Sequence, residues 1–140
     1  MVHALKEAWR VLVAHGIMLD VRPLCIDVPL EIVFRGAGES AGLLDLSPDI
    51  KRDINSGRAI ETILAAGIFK EEKLEFFDFA YYWNTLEEMQ EDLDENWKDE
   101  IVIPEAVLGR AQALFKGQRS TPKIRIRVRM KLGVYEKRQA

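Results

Sequence analysis

Ile124, Ile126, Val128, Met130, Leu132 and Val134 alternate with Arg125, Arg127, Arg129, Lys131 and Gly133. A period of two predicts a strand over 123–135, with one face covered and the other meeting water or charge. Leu5, Ala8, Trp9, Leu12 and Val13 recur at helical spacing and predict a buried helix stripe, closed at His15-Gly16. Ile17 to Arg22 shows almost no alternation, which predicts a strand covered on both faces. Two strand-like runs, 30–34 and 42–46, flank Gly36-Ala37-Gly38 and predict a hairpin. Ser47-Pro48 then opens a helix, with serine accepting from orphan amides; Ile50, Ile54, Ile60, Ile63 and Leu64 form its expected buried stripe and Gly67 its end.

The run 73–83 predicts an aromatic strand, with Phe77, Phe79, Tyr81 and Trp83 on one face and Phe76, Asp78 and Tyr82 on the other. Thr85 and Glu88 have the spacing of a capping box, ahead of an acidic helix whose inner face is Leu86, Met89, Leu93 and Trp97. A further helix is expected from Pro104 to Gly117, burying Val107, Leu108, Ala111, Leu114 and Phe115. The resulting fold class is α/β: one domain over 1–140, with a small mixed β-sheet, a β-hairpin and helices mainly on one face.

Composition narrows the functional classes. A chain of 140 residues suits one domain with a real core. Twenty basic residues face 23 acidic ones, so the net charge of -3 gives no reason to expect nucleic acid as partner of the whole chain. No apolar run is long enough to span a membrane, and the start lacks the pattern of a secretory signal. One cysteine, Cys25, forms no internal disulfide. A cytoplasmic location is the expectation from these features.

Candidate chemistry is sparse. His3 and His15 are the only histidines and stand at no metal-ligand spacing, so no metal site is expected. Cys25, between Leu24 and Ile26, reads as a small apolar residue without a base to activate it. The glycines from Gly36 to Gly42 precede a strand rather than a helix, which suits a turn and not a phosphate cradle. Asp20, with Arg22 two positions on, reads as a strand carboxylate paired with a nearby arginine. Arg125, Arg127, Arg129 and Lys131, extended by Arg119 and Lys123, form a possible anion-binding row; the alternative is pairing with acidic residues. Phe77, Phe79, Tyr81 and Trp83 are a possible interface, some rings reaching a partner chain. No catalytic and no cofactor-binding residue is singled out.

One segment carries a family resemblance. Arg10-Val11-Leu12-Val13-Ala14-His15-Gly16, followed at once by Ile17-Met18-Leu19-Asp20-Val21, resembles the helix, glycine turn and central strand of class I S-adenosylmethionine-dependent methyltransferases. The sequence-specific part spans residues 4 to 22; element order extends the likeness over most of the chain. The resemblance implies a truncated Rossmann-like fold, the C-terminal half of such an enzyme, in which a final strand is inserted antiparallel between the previous two. It also implies that the half holding the cofactor, with its Gly-rich loop, is missing.

The expected function is therefore a non-catalytic methyltransferase-like interaction or assembly domain. The alternatives are one half of a split methyltransferase completed by a partner chain, or an anionic-ligand or nucleic-acid binder using the basic strand. No cofactor is expected for the isolated chain; S-adenosylmethionine enters only with a partner that completes the fold. A truncated sheet leaves an unpaired edge, so a homo-oligomer is expected, most simply a homodimer.

Overall fold

A computed structural model describes residues 1–118 and 120–139. Among the described residues, four α-helices, α1 (Val2–Val11), α2 (Ile50–Ala65), α3 (Leu86–Asn96) and α4 (Glu105–Lys116), accompany five strands, β1 (Ile17–Pro23), β2 (Val28–Phe34), β3 (Ala37–Leu44), β4 (Phe69–Trp83) and β5 (Lys123–Lys137). The strands form one sheet with the path β1-β5-β2-β3, and β4 also pairs with β5. The registered pairs β1–β5, β2–β3 and β2–β5 are all antiparallel. The expected mixed sheet is thus corrected to an antiparallel one: hairpin connection and a returning last strand supply every registered neighbour, and no crossover delivers a parallel one.

The chain divides into two compact units, one of Met1–Leu24, Lys51–Phe77 and the stretch from Arg129, the other of Cys25–Ile50 and Asp78–Val128. In the first, Leu5 of α1, Ala59, Ile60 and Ile63 of α2, Phe69 of β4 and Tyr135 of β5 form the core, with Trp9, Leu12 and Met18 packed against it. The stripes are narrower than their periodicity suggests. Val13 is 77% exposed, and Ile50 and Ile54 are exposed as well, because α1 ends at Val11 and the start of α2 lies beyond the core. A 3₁₀ turn, Ser47–Asp49, precedes α2 with Leu46, not Ser47, at its N-cap, and the Ser47 amide donates to Asp45 Oδ1 at 2.9 Å. After α1 the left-handed residue is His15 at φ 60, not Gly16; histidine is among the residues that tolerate this region.

In the second unit, Leu30 and Ile32 of β2, Leu44 of β3, Met89 and Leu93 of α3, Val107 and Ala111 of α4, and Ile124, Ile126 and Val128 of β5 are buried. Arg35 (φ 51) and Gly36 (φ 80) make the two-residue turn of the β2–β3 hairpin, the geometry whose twist suits paired strands. Thr85 Oγ1 accepts from the Glu88 amide at 3.1 Å, and Glu88 Oε2 accepts from the Asn84 amide at 2.9 Å. The box closes one residue earlier than the standard pattern.

The buried positions of β5 change parity along its length. Even positions Ile124, Ile126 and Val128 are buried, then odd positions Gly133 and Tyr135. The expectation of one covered apolar face from Ile124 to Val134 fails beyond Val128, because in the first unit the helices pack on the side occupied by Tyr135.

Candidate interaction surface

The strand predicted to be covered on both faces is bare on one. In β1, Ile17, Leu19 and Val21 are 49%, 62% and 51% exposed, while Met18, Asp20 and Arg22 are half-buried. Strand periodicity explains the split. Met18, an even position, packs against the core that α1 and α2 share, and the odd positions face the other way. Register places Val21 opposite Leu132 and Leu19 opposite Val134, so these half-buried β5 residues continue the same apolar face. On β4, alternation from the buried Phe69 puts Leu74, 40% exposed, on that side too.

Among the described residues, the outer edge of β1 is unpaired as well. Lys137 N–H donates to Gly16 O and Leu24 N–H to Arg129 O, each at 2.8 Å. This phase directs the backbone groups of even β1 residues to β5 and leaves those of Ile17, Leu19 and Val21 pointing outward. Pro23, which has no N–H, closes this edge at one end.

On the covered side, Arg22 Nε donates to Asp20 Oδ2 at 2.8 Å, the pairing expected from their spacing. Tyr135 Oη and Arg22 Nη1 are buried without a hydrogen-bond partner. Burial pushes the Tyr135 phenol up, and the Glu71 and Asp20 charges add to that.

The basic row does not act as one patch. Arg125 Nε and Arg127 Nη2 donate to the two oxygens of Glu31 at 2.7 and 2.8 Å. Glu31 is 5% exposed, the one buried charged residue among the described residues. Burial alone would raise its carboxyl, but hydrogen bonds from Arg125 and Arg127 hold it below the usual range. Hydrogen bonding to Glu31, then to Tyr82, raises the Arg125 guanidinium in turn. Gly38 makes room for this arrangement: a Cβ there would stand 2.5 Å from Arg125 Nη2. Arg129 lies 5.9 Å over the Phe76 ring, and Lys131 sits opposite Arg22 in the β1–β5 register. Lys123 Nζ donates to Asn84 Oδ1. Arg119 lies outside the described residues.

The aromatic set divides too. Phe79 meets Tyr81 edge-on at 5.0 Å, Tyr81 stacks with Trp83 at 6.2 Å, and Trp97 of α3 meets Tyr81 edge-on at 4.9 Å. Trp83 Nε1 donates to Asp92 at 2.9 Å. Tyr81 and Trp83 are half-buried; Phe77 (38% exposed) and Phe79 (48%) are the rings of the set most open to solvent. A cavity of about 400 Å³ beside Trp97 is lined by both apolar and acidic side chains, among them Leu93, Leu108, Asp94 and Asp99.

The remaining candidates show no convergent chemistry. Cys25 is half-buried, with its thiol directed to Leu46 O. His15 pairs with Glu136 and lowers that carboxyl. Among the described residues, no three His, Cys, Asp or Glu side chains are grouped to hold a metal ion, and no helix is long and apolar enough to cross a membrane. Comparison with protein-family models, with curated proteins and with solved structures gives no match for the chain.

What sequence reading missed is the bare face of β1. The signal that could have found it lay in Asp20 and Arg22: an acid and a base in one apolar strand mark the side on which they pair, and so leave Ile17, Leu19 and Val21 on the other.

Proposed function

We propose that the chain is a non-catalytic assembly module, resembling the C-terminal half of a class I methyltransferase, that works by presenting the β1 face to another polypeptide. The single observation that carries this reading is the exposure of Ile17, Leu19 and Val21 side by side on one strand. Contiguous apolar surface on a sheet costs solubility and marks an interaction site. The likeness to class I methyltransferases draws support from strand pairing: β5 runs antiparallel to β1 and also takes β4 as a neighbour, the closing arrangement that the resemblance implies.

The reading without catalysis draws support from the glycines. Gly36 sits in a hairpin turn, and Gly38 and Gly42 in β3, where the strand is hydrogen-bonded to β2 rather than feeding a helix that could receive an anion. The anion-binding alternative loses ground to Glu31, which occupies Arg125 and Arg127.

Calorimetric titration with S-adenosylmethionine is the test. The isolated chain is expected to give no binding heat up to millimolar cofactor. Micromolar binding by a single copy would overturn the assignment. Binding restored only by a second chain would favour the split enzyme instead.

A further inference from the structure

We infer that the occupant of the β1 face is a second copy of this chain, packed sheet to sheet about a two-fold axis rather than joined edge to edge. The inference rests on the assembly reading above and names its partner.

The face is three strands wide. β1 pairs with β5 over Ile17–Pro23, and Arg138 N–H donates to Ile68 O at 3.0 Å, which sets the start of β4 on the other edge of β5. Ile17, Leu19 and Val21, then Leu132 and Val134, then Leu74 supply its apolar side chains. Charged side chains share its outer strand and one end: Lys70 and Glu72, on the same side of β4 as Leu74, pair with each other at 2.6 Å, and Glu136, opposite Ile17, pairs with His15. Both signs occur there, so two copies meeting face to face do not repel.

Area decides between occupants. The exposed area of these residues is about 400 Å², within the range of the largest apolar patch on a lone protein. A standard interface buries about 800 Å² per partner, roughly 65% of it apolar in homodimers. The face therefore supplies roughly three quarters of the apolar share that one protomer must bring. A single helix, about 10 Å across, covers about two strands; a second sheet matches the width of three.

Edge pairing fits less well. Only Ile17, Leu19 and Val21 offer outward backbone groups before Pro23 ends the run. Joining two β1 edges would also place both bare faces side by side in water and double the exposed patch. Packing face on face removes both.

Light scattering across concentration, combined with amide exchange, tests the arrangement. The wild type, of 16.0 kDa per chain, is expected at twice that mass at ~100 μM. Leu19→Asp is expected to weaken self-association at least about 100-fold, since a buried unpaired charge opposes it. Leu19 is exposed, so the variant should keep the wild-type circular dichroism; Val21→Asp is the second variant should it not. The Leu19 amide is expected to exchange fast in the dimer, because its edge stays open. A monomer at all concentrations, a dimer indifferent to both substitutions, or slow Leu19 exchange would each overturn the face-to-face dimer. A monomer that still fails to bind S-adenosylmethionine would leave the assembly reading standing, whereas cofactor binding would end that reading whatever the mass.

Discussion

The phenol end of Tyr135 occupies the space beside Gly133, two residues earlier on the same strand. A Cβ at position 133 would stand 2.5 Å from Tyr135 Cε2 and 2.6 Å from Cζ. Tyr135 is fully buried, so the ring has nowhere to retreat. Gly133→Ala is expected to cost about 1–3 kcal/mol through overpacking, read as a lower urea midpoint at unchanged slope. Tyr135→Phe removes a hydroxyl that has no hydrogen-bond partner and is expected to be neutral or slightly stabilising. A marked loss in the phenylalanine variant would mean that the hydroxyl is satisfied after all.

Glu31 binds two arginines in the second unit. Its folded pKa lies below the ordinary carboxylate value, so the unfolded chain binds the proton more readily. The associated stability is fully present above pH ~4.3 and is lost as pH falls through the folded pKa. Glu31→Gln is expected to cost about 2–3 kcal/mol near neutral pH, less than a fully buried pair because Arg127 remains 43% exposed. It should also flatten the acid limb of the stability profile. Equal acid sensitivity in wild type and variant would remove Glu31 from that role.

Gly42 combines a φ of +131 with close approach to Val107, whose Cγ2 would stand 2.7 Å from an added Cβ. The position follows the register shift at Leu30/Glu31. Gly42→Ala is expected to destabilise through both effects. Adding Val107→Ala should relieve the contact but not the backbone strain, so the double-mutant cycle should show a favourable coupling of about 1 kcal/mol with incomplete rescue. Strict additivity would deny the contact.

Thr85 caps α3 through the Glu88 amide. Thr85→Ala is expected to lose about 1 kcal/mol, and Thr85→Ser to retain nearly all of it. Chemical denaturation of the two variants side by side measures the difference; equal losses would point to the methyl group and not the hydroxyl.

Most of the elements were legible in the sequence because local signals were strong. The capping box at Thr85, the glycine turn at Gly36 and the alternation from Ile124 each name their structure without tertiary help. Burial was less legible. Val13, Ile50 and Ile54 fit a helical stripe, yet core is shared among elements and none reaches them. The row from Arg125 to Lys131 looked uniform, but no local pattern reveals that Glu31, distant in the chain, faces Arg125 and Arg127 and not Lys131. The face of β1 was misread for a related reason: an unbroken apolar run has the same appearance whether its second side meets a helix or water.

The pairing of Ile17 with Glu136 spans most of the chain. As β1 leaves the ribosome, its registered partner has not yet been synthesised, and β2 waits almost as long for residues 123–126 beyond its own hairpin. Such delayed closure slows folding and leaves sticky strands unattended during translation. Expression of this protein should therefore depend more on chaperone supply than its modest size suggests.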